Sequence, residues 1–329
     1  MKLIDSFGRQ HTALRLSVTD RCNVRCFYCM PSEHIEFLPR PDILTFEELT
    51  RVSEIFAGLG ITKIRLTGGE PLVRKHLHKL IEQLRRIASI EEIALTTNAI
   101  LLADQAASLR QAGLDRINVS LDTLDRQQFA EITRRDELDR VLQGVEAAQA
   151  AGFDDIRVNA VAVKGLIDAQ ILPLVRFAAE RGLVMRFIEF MPLNAEGQWS
   201  NDEVLRGADI RNIVEREYGP LIPVPRPDPA QPATDFQFAT SPGQVGFINS
   251  VTEPFCGDCN RVRLTADGKI HNCLFSNEEW DIRELLRSGA DVQSIADLIV
   301  DCVANKKAAH GIGTAEFSKP RRAMYQIGG

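Results

Sequence analysis

Six of the seven cysteines in this 329-residue chain fall into two triplets that lie far apart in the sequence. The triplets are Cys22, Cys26 and Cys29, spaced C-x-x-x-C-x-x-C, and Cys256, Cys259 and Cys273. Closed zinc and four-iron sites use four protein ligands, so each triplet is one thiolate short, and two all-cysteine sites need more cysteines than the chain has. At least one site must be completed by another group. An open metal position is where small molecules bind and react, so the cysteine count points to chemistry.

The composition of the chain limits the partners that it can bind and the cellular compartment in which we expect it. The formal net charge of -6 at pH 7 argues against broad binding to the phosphate backbone of nucleic acids. No run of about 18 apolar residues exists, so we expect no membrane span. Residues 1–10 are charged and lack an apolar secretory segment. We therefore expect a cytoplasmic protein. In that compartment clustered cysteines are read first as metal ligands and only second as disulfides.

Short β-branched runs alternate with helix-patterned segments between residues 12 and 190, and glycine follows several of the predicted helices. Strands are predicted at 12–19, 61–67, 92–97, 116–121, 155–163 and 183–189. Helices are predicted at 45–58, 74–88, 103–112, 137–151 and 168–181, the first with a capping box of Thr45 and Glu48. Strands that alternate with helices predict an α/β fold with a parallel sheet wound by right-handed crossovers.

Polar residues cluster where the predicted strands should end, as in Thr67-Gly68-Gly69-Glu70 and Thr96-Thr97-Asn98. Open doubly wound sheets and barrels both place their sites at the carboxyl ends of parallel strands. These clusters therefore predict a site at that edge of the sheet, although periodicity alone does not separate the two folds.

A proline-rich stretch at 219–232 predicts a domain boundary. Six prolines fall within these fourteen residues, a density that neither a helix nor a central strand accepts. We expect one domain at 1–218 and a second at 219–329. The second should contain a β segment near 236–251, the second triplet, and helices near 278–288 and 291–305.

The first triplet has the spacing expected of a loop wrapped around a 4Fe-4S cluster that leaves one iron without a protein ligand. The segment Cys22-Asn23-Val24-Arg25-Cys26-Phe27-Tyr28-Cys29 resembles the signature of the radical S-adenosylmethionine superfamily. Glycines in Thr67-Gly68-Gly69-Glu70-Pro71, after a predicted strand, let the backbone approach the ammonium group of a ligand. A zinc knuckle completed by a distant histidine is the alternative.

The resemblance implies a partial (β/α)6 TIM-type barrel in which the open iron binds the amino and carboxylate groups of S-adenosylmethionine. One electron then cleaves the sulfonium to a 5'-deoxyadenosyl radical, which abstracts a hydrogen atom from the substrate. The S-adenosylmethionine contacts that the resemblance implies are Tyr28, Gly69, Ser120 and Met191.

The second triplet narrows the resemblance to one family. Cys256-Gly257-Asp258-Cys259-Asn260-Arg261-Val262-Arg263 and Cys273 are similar to the molybdenum cofactor biosynthesis protein A family of GTP 3',8-cyclases. The similarity extends from Leu14-Arg15-Leu16-Ser17 to Met324-Tyr325-Gln326-Ile327-Gly328-Gly329. It implies a C-terminal α+β extension that closes the barrel and carries a second 4Fe-4S cluster. A zinc site completed by His271 is the alternative.

Arginines next to the second triplet suit a polyanionic ligand. Arg261 and Arg263 alternate along an extended segment and so face one side, where guanidinium groups can bind the phosphate oxygens of GTP bidentately. The further GTP contacts that the resemblance implies are Arg15, Arg65, Thr96 and Arg157. The resemblance also implies that guanine sits on the open iron of the second cluster. Arg157 replaces the usual lysine of the family, and Ala99 replaces a glycine often found there.

The resemblance implies that Gly328 and Gly329 enter the active site, where only bare backbone fits beside the triphosphate. With Arg261 and Arg263 they form the predicted catalytic group. The implied reaction removes the ribose 3' hydrogen of GTP, joins C3' to guanine C8 and yields 3',8-cyclo-7,8-dihydro-GTP, the first step of molybdenum cofactor biosynthesis. Implied partners are an external one-electron donor, a downstream cyclic pyranopterin monophosphate synthase and a second copy of the chain in a homodimer.

Two other functions stay open at this point. A radical S-adenosylmethionine enzyme that modifies peptides also carries auxiliary clusters, and a non-catalytic iron-sulfur or zinc protein needs no turnover. The seventh cysteine, Cys302, lies on an apolar face of a predicted helix, so we expect a buried thiol with a packing role.

Overall fold

A computed structural model describes residues 2–30, 35–193, 199–226 and 228–329. The strands are β1 (Ala13–Ser17), β2 (Lys63–Thr67), β3 (Glu92–Thr97), β4 (Arg116–Ser120), β5 (Ile156–Ala162), β6 (Val184–Glu189), β7 (Leu221–Pro223), β8 (Thr234–Phe238), β9 (Gln244–Ile248), β10 (Arg261–Leu264), β11 (Lys269–His271) and β12 (Trp280–Asp281). The helices are α1 (Phe46–Gly58), α2 (Leu77–Arg85), α3 (Ala106–Gln111), α4 (Arg126–Thr133), α5 (Leu138–Ala150), α6 (Ile171–Glu180), α7 (Gly207–Tyr218), α8 (Arg283–Arg287), α9 (Val292–Ala304) and α10 (Met324–Ile327).

The strands form one sheet in the order β12-β11-β10-β1-β2-β3-β4-β5-β6-β9-β8-β7. Strands β1 to β6 are parallel neighbours in chain order, with at least one helix between each strand and the next. This arrangement confirms the predicted α/β fold, a partial barrel of six strand-helix units. All six predicted strands are present.

The C-terminal part of the chain extends the sheet at both ends. Strand β10 pairs in parallel with β1, and β9 pairs in parallel with β6. Antiparallel hairpins, β11 with β12 and β8 with β7, form the two edges. Side chains of β1, β6, β9 and β10 line the same cavity, so the sheet curls and the C-terminal strands help to close the barrel.

The predicted boundary at 219–232 stays a prediction. Its first half contains the short edge strand β7, where proline removes no hydrogen bond that a central strand would need. Pro227 lies outside the described residues. Strands on the two sides of this stretch are hydrogen-bonded to each other, so any second domain shares its sheet with the first.

Local signals in the sequence have the expected structural result. The side chain of Thr45 accepts a hydrogen bond from the Glu48 amide, and the Glu48 side chain accepts one from the Thr45 amide, which confirms the capping box at the start of α1. Gly60 and Gly113 follow α1 and α3 with φ of 100°. This left-handed backbone turns each chain segment directly into the next strand.

The two faces of the sheet differ in chemistry. Leu14 and Leu16 of β1 are fully buried on the face that packs against the helices. Arg15, between them, points to the opposite face and lines the cavity. Strand β2 repeats the pattern, with Ile64 buried and Arg65 lining the cavity. The inner face of the barrel is therefore polar and basic, and it can hold a charged ligand.

Three of the described helices were not predicted from the sequence, α4, α7 and the short α10. Cys302 on α9 is fully buried and does not line the cavity, which confirms the predicted buried thiol. Among the described helices, none combines the length and apolar character needed to cross a bilayer.

Candidate active site

Both cysteine triplets line a single cavity of about 420 Å³ inside the barrel. All six cysteines have free thiols. The other predicted site residues that line this cavity are Arg15, Tyr28, Arg65, Gly69, Thr96, Ser120, Arg157, Met191, Arg261, Arg263 and Gly329. Gly328 lies directly behind the lining, against Thr67. The fold thus brings together segments that are separated by most of the chain.

The first triplet lies on the loop that follows β1. The amides of Cys29 and Met30 both donate to the Cys26 carbonyl, so the loop forms a tight turn around its thiols. Burial raises the pKa of Cys22 to about 11 and that of Cys29 to about 12. The three thiols therefore need a positively charged partner to become thiolates, and an iron cluster supplies one.

Glu70 braces this loop from the next strand. Its buried carboxylate accepts hydrogen bonds from the Asn98 amide at 2.7 Å and from Thr97 Oγ1 at 2.7 Å. Burial raises the pKa of Glu70 to about 7, although these hydrogen bonds lower it. Asn98 Nδ2 donates to Asn23 Oδ1 at 2.8 Å, which links the carboxylate to the cysteine loop.

Tyr28 is held in place by a second buried carboxylate. Its hydroxyl donates to Asp122 Oδ2 at 2.5 Å, and the other oxygen of Asp122 accepts from the Val161 amide at 2.8 Å. Burial raises the pKa of both Tyr28 and Asp122. The first triplet therefore lies between two buried acidic side chains, Glu70 and Asp122.

The paired glycines pack against the cysteine loop itself. A Cβ atom on Gly69 would lie 2.3 Å from the Arg21 carbonyl oxygen, and one on Gly68 would lie 2.3 Å from the Thr19 carbonyl oxygen. The Gly69 amide donates to the same Thr19 carbonyl at 2.8 Å. These glycines are needed first for contact between two backbone segments, and both also line the cavity.

The second triplet has a different electrostatic setting. Cys256 and Cys259 flank a short turn, and Cys273 follows β11. Burial raises the pKa of Cys259, but Arg261 and Lys306 outweigh that effect and lower it to about 6. Arg261 Nη2 lies 3.4 Å from Cys259 Sγ, and Lys306 Nζ lies 3.3 Å from the same atom.

Three arginines form a row across neighbouring strands. Arg15 of β1 is in register with Arg65 of β2 on one side and with Arg263 of β10 on the other. Burial, followed by repulsion from Arg65 and Arg263, lowers the pKa of Arg15. The Arg65 Nη1 atom is buried and has no hydrogen-bond partner among the described residues. A row of crowded guanidinium groups with unsatisfied donors fits a polyanion.

The segment that ends in the two glycines lies against this row. Arg263 donates to the Gly328 carbonyl, and Arg15 Nη1 donates to the Gly329 carbonyl at 3.3 Å. Gly328 has φ of 85°, and a Cβ atom there would lie 2.5 Å from Thr67 Oγ1. Only glycine fits this position without displacing its neighbour.

A salt bridge anchors the same segment to the hairpin of β10 and β11. Arg322 donates to both carboxylate oxygens of Asp267, at 3.1 and 3.0 Å, and also pairs with Glu279. The helix α10 begins two residues later. Arg322 thus fixes where the glycine segment starts, and the arginine row holds its other end.

Arg157 lines the cavity, but its guanidinium already has a partner. It donates to both carboxylate oxygens of Asp155 at 2.9 Å. Burial, with repulsion from Arg186 and Arg116, lowers the pKa of Arg157 to about 10. Asp155 orients the planar group, which a lysine would not allow in the same bidentate way.

Ala99, the other departure from the family pattern, is buried with φ of 63°. This is the left-handed region that glycine enters without cost. The glycine that the family often has at this position therefore has a conformational reason.

Sequence reasoning missed several residues of the cavity and its walls. Lys63 Nζ lies 2.6 Å from Asp228 Oδ2, and both residues line the cavity. Arg186 also lines it and is paired with the buried Asp235. Alternation along β2 could have indicated Lys63, since Arg65 lies two residues further on the same face. Lys306 carries no such signal.

The zinc alternatives gain no support from the geometry. In the part of the chain that the structure describes, no three His, Cys, Asp or Glu side chains converge closely enough to hold one metal ion. His271 is buried, and the nearest acidic atom to its Nε2 is Glu279 Oε1 at 3.6 Å. Each triplet supplies three free thiols to the cavity, the number that a four-iron cluster with one open position needs.

Comparisons with known proteins show the family of this chain. Residues 16–178 match the model of the radical SAM superfamily, and residues 183–312 match the model described as Molybdenum Cofactor Synthesis C. A relative from Rhodopirellula baltica named GTP 3',8-cyclase is 49% identical over 99% of this chain and 92% of its own length. One of the same name from Paenarthrobacter nicotinovorans is 44% identical over 99% of this chain and 97% of its own.

Solved structures add a likeness of fold. Streptococcus suis SuiB bound to S-adenosylmethionine has a TM-score of 0.62 at 15% identity, covering 97% of this chain and 78% of that chain. The structure of SuiB bound to its precursor peptide SuiA has a TM-score of 0.63 at 16% identity, covering 92% of this chain and 69% of that chain. At these identities the likeness shows a shared fold alone.

Proposed function

This chain belongs to the GTP 3',8-cyclase family of radical SAM proteins, and on that premise we propose that it converts GTP to 3',8-cyclo-7,8-dihydro-GTP. The reaction breaks the ribose C3'–H bond and forms a bond between C3' and guanine C8, and an added electron and proton complete the product. It is the first step of molybdenum cofactor biosynthesis.

We assign the first triplet to the binding of S-adenosylmethionine. When bound there, a 4Fe-4S cluster supplies the electron that cleaves S-adenosylmethionine to the 5'-deoxyadenosyl radical. Cys22, Cys26 and Cys29 would hold this cluster, and the proposed contacts of the ligand are Tyr28, Gly69, Ser120 and Met191, which line the same cavity. Glu70 and Asp122 flank this triplet as buried carboxyl groups, and their hydrogen bonds hold the Asn98 backbone and the Tyr28 hydroxyl in place.

We assign the second triplet and the arginine row to GTP. Cys256, Cys259 and Cys273 would hold a second 4Fe-4S cluster whose open iron binds guanine. The predicted phosphate and ribose contacts are Arg15, Arg65, Thr96, Arg157, Arg261 and Arg263. Gly328 and Gly329 hold Arg263 and Arg15 in position through their carbonyls.

One observation carries the proposal above the others. The row of Arg65, Arg15 and Arg263 faces the same cavity as both cysteine triplets, and Arg65 keeps a buried, unpaired donor. A peptide substrate would not match that density of positive charge, whereas a nucleoside triphosphate does. An electron carrier would not need this density of positive charge.

The chain's contribution to the chemistry is positioning and exclusion of water. A carbon radical reacts with whatever lies nearest, so the two ligands must be held in contact inside a closed space. The barrel wall of β1 to β6 and the flanking strands β9 and β10 provide this space. The remaining family expectations stay predictions: an external one-electron donor, a downstream cyclic pyranopterin monophosphate synthase, a homodimer and a cytoplasmic location.

The test is an anaerobic incubation of iron-reconstituted protein with dithionite, S-adenosylmethionine and GTP deuterated at the ribose 3' position. We expect 5'-deoxyadenosine that carries the deuterium, together with a cyclised product of GTP, both measured by mass spectrometry. The Cys302→Ser variant, whose thiol lies outside the cavity, is the matched control and should keep this activity.

Each rival function gives a different result in this assay. A peptide-modifying enzyme would cleave S-adenosylmethionine without taking deuterium from GTP. An iron-sulfur carrier or zinc protein would form no 5'-deoxyadenosine. Either result, from protein with its iron bound, would overturn the proposed function.

A further inference from the structure

Lys306 is a buried lysine that contacts a cysteine of the second triplet. It lies just after α9, and 4% of its surface is exposed. Its Nζ atom lies 3.3 Å from Cys259 Sγ and 2.8 Å from the Arg261 carbonyl oxygen. Burial of an ammonium group is costly unless a negative or polar partner accepts its hydrogen bonds. A thiolate at Cys259 is such a partner.

The position of this lysine is fixed from the other end of the chain. Arg9 Nη1 donates to the Cys256 carbonyl at 2.7 Å and to the Ala308 carbonyl at 2.9 Å. Arg9 Nη2 donates to the Lys307 carbonyl at 2.8 Å. The guanidinium group of Arg9 therefore links the backbone of the segment that carries Lys306 directly to the second triplet. This link fixes the backbone position of Lys306 relative to Cys259.

Cys259 receives positive charge from two sides. Arg261 Nη2 lies 3.4 Å from its sulfur, and the guanidinium of Arg261 stacks on Phe255 with its carbon 4.6 Å from the ring centre. Lys306 approaches the same sulfur. Arg261 lines the cavity and is assigned to GTP, so a bound nucleotide would compete with Cys259 for its hydrogen bonds. Lys306 does not line the cavity, so a ligand there would not compete for its contact directly.

We infer that Lys306 is a positioning residue that sets the reduction potential of the cluster at the second triplet. Hydrogen bonds to cluster sulfurs and nearby positive charge favour the reduced form, because the added electron places more negative charge on the sulfurs. Lys306 therefore raises the potential of the second cluster above the value it would have with a neutral side chain. The inference rests on the proposed function, since it requires a cluster at this triplet.

The experiment compares four reconstituted full-length proteins: wild type, Lys306→Gln, Lys306→Arg and Lys307→Gln. Lys307 is the exposed neighbour and the matched control. Iron and sulfide content are measured first, and then the midpoint potentials are measured by electron paramagnetic resonance in a redox titration. Addition of S-adenosylmethionine changes the signal of the first cluster, so the signal that does not respond belongs to the second.

We expect Lys306→Gln to shift the midpoint of the unresponsive signal to lower potential. Lys306→Arg should restore most of the wild-type value, and Lys307→Gln should leave it unchanged. A Lys306→Gln protein with full iron content and an unchanged midpoint would overturn the inference alone. Wild-type protein that shows no second signal would overturn the proposed function as well, so the two failures are distinguishable.

A further variant is needed in case Lys306→Gln fails to keep the second cluster. If Lys306→Gln binds less iron, Lys306→Met, which keeps most of the chain length without the charge, is titrated in its place. If both neutral variants lose the second cluster and Lys306→Arg keeps it, the inference that Lys306 sets the reduction potential is overturned. Lys306 would then be needed to bind the cluster.

Discussion

The two cysteine triplets face one cavity from different electrostatic settings. Beside the first triplet lie two buried acidic side chains, Glu70 and Asp122, together with Arg25, whose Nη1 donates to the Cys22 carbonyl at 2.7 Å. Beside the second triplet lie two basic side chains, Arg261 and Lys306, which lower the pKa of Cys259 to about 6. The pKa of Cys22, by contrast, is raised by burial to about 11. Cys22 and Cys259 therefore have pKa shifts of opposite sign.

This difference matches the charges of the two ligands. S-adenosylmethionine carries a sulfonium and an ammonium group, whereas GTP carries several phosphate charges. Inside a cavity of low dielectric, fixed charges discriminate strongly between a cation and an anion. The basic surroundings of the second triplet would therefore favour an anionic ligand such as GTP, as the proposed assignment requires.

The two regions also differ in how they are assembled. The first triplet lies within eight residues on one loop, although Asp122 and the backbone of Tyr325 also contact that loop. The second combines β10, the segment after α9, Arg9 and the glycine segment. We expect the first site to resist distant substitutions and the second to respond to them.

Loss of one thiol from each triplet should separate the two half-reactions. Cys26→Ser should abolish both 5'-deoxyadenosine formation and GTP cyclisation, by more than about 100-fold, since even outer contacts of metal ligands are worth 10- to 100-fold. Cys259→Ser should abolish cyclisation and leave measurable cleavage of S-adenosylmethionine. Product analysis by mass spectrometry measures both. Equal loss of cleavage in the two variants would contradict the division of the cavity into two ligand sites.

Removal of one arginine should weaken only the second region. Arg263→Gln should lower kcat/KM for GTP about 10- to 100-fold, because hydrogen bonds to charged groups contribute about 1.5–3 kcal/mol. The affinity for S-adenosylmethionine, measured by calorimetry, should stay unchanged. Arg216→Gln, an exposed arginine on α7, is the control and should match wild type in both measurements. A comparable loss of S-adenosylmethionine affinity would show that the charges act on the whole cavity.

A methyl group in the glycine segment should have a smaller effect on the second region. Gly328→Ala places a Cβ atom 2.5 Å from Thr67 Oγ1 at φ of 85°, so the carbonyl that Arg263 contacts must move. We expect a fall of about 3- to 10-fold in kcat/KM for GTP, equivalent to about 1 kcal/mol of lost positioning.

Gly313→Ala separates backbone strain from the steric contact. Gly313 has a similar φ of 83°, and a Cβ atom there would meet no heavy atom within 4 Å. Its variant should lose some stability and keep wild-type steady-state kinetics. An equal kinetic effect in both variants would mean that strain alone is responsible.

The smallest expected effect concerns stability against pH. Burial raises the pKa of Asp267, but Arg322 and Thr265 outweigh burial and hold it below its usual value of 3.8. A carboxylate whose pKa is depressed in the fold stabilises the protein above that value, and the contribution is lost as the pH falls through the folded pKa. Asp267→Asn should cost about 1–2 kcal/mol at pH 7 and progressively less below pH 3.8, measured by urea unfolding.

Asp20, beside the first triplet, gives the opposite sign. Its carboxylate accepts from the Leu38 amide, yet burial raises its pKa above 3.8. The folded state then binds the proton more tightly than the unfolded chain, so stability falls as the pH rises above 3.8 towards the folded pKa. Asp20→Asn should remove this fall. Two aspartates with the same pH profile would contradict the opposite pKa shifts of these two neighbouring carboxyl groups.

Much of the barrel was predictable because its signals are local. Each of β1 to β6 is a short run bounded by turn residues, and the glycine after α1 or α3 has the left-handed φ that its position predicts. The α4 helix was missed because Phe129 and Ile132 are its only large buried apolar side chains. The side chain of Asp125, which caps it by accepting from the Gln128 amide, was the signal available.

The pairing of strands that are distant in the sequence could not be predicted from local signals. The sequence of β10 does not show that Arg263 lies in register with Arg15, because that register follows from the closure of the whole barrel. The same holds for Lys306, whose only distinction is its contact with a cysteine 47 positions earlier. The site residues carried by motifs were predictable, and those carried by tertiary contact were not.

The position of β1 between β2 and β10 has a consequence for synthesis on the ribosome. Residues Thr12 and Asn260, which meet at the start of this pairing, are separated by 248 positions. At about 5–20 residues per second, the nascent chain carries β1 with one open edge for tens of seconds. Unpaired strand edges are templates for aggregation, so chains that stall before residue 261 should be the insoluble ones. The N-terminal thiols emerge during the same interval, and they can receive iron before the opposite wall exists.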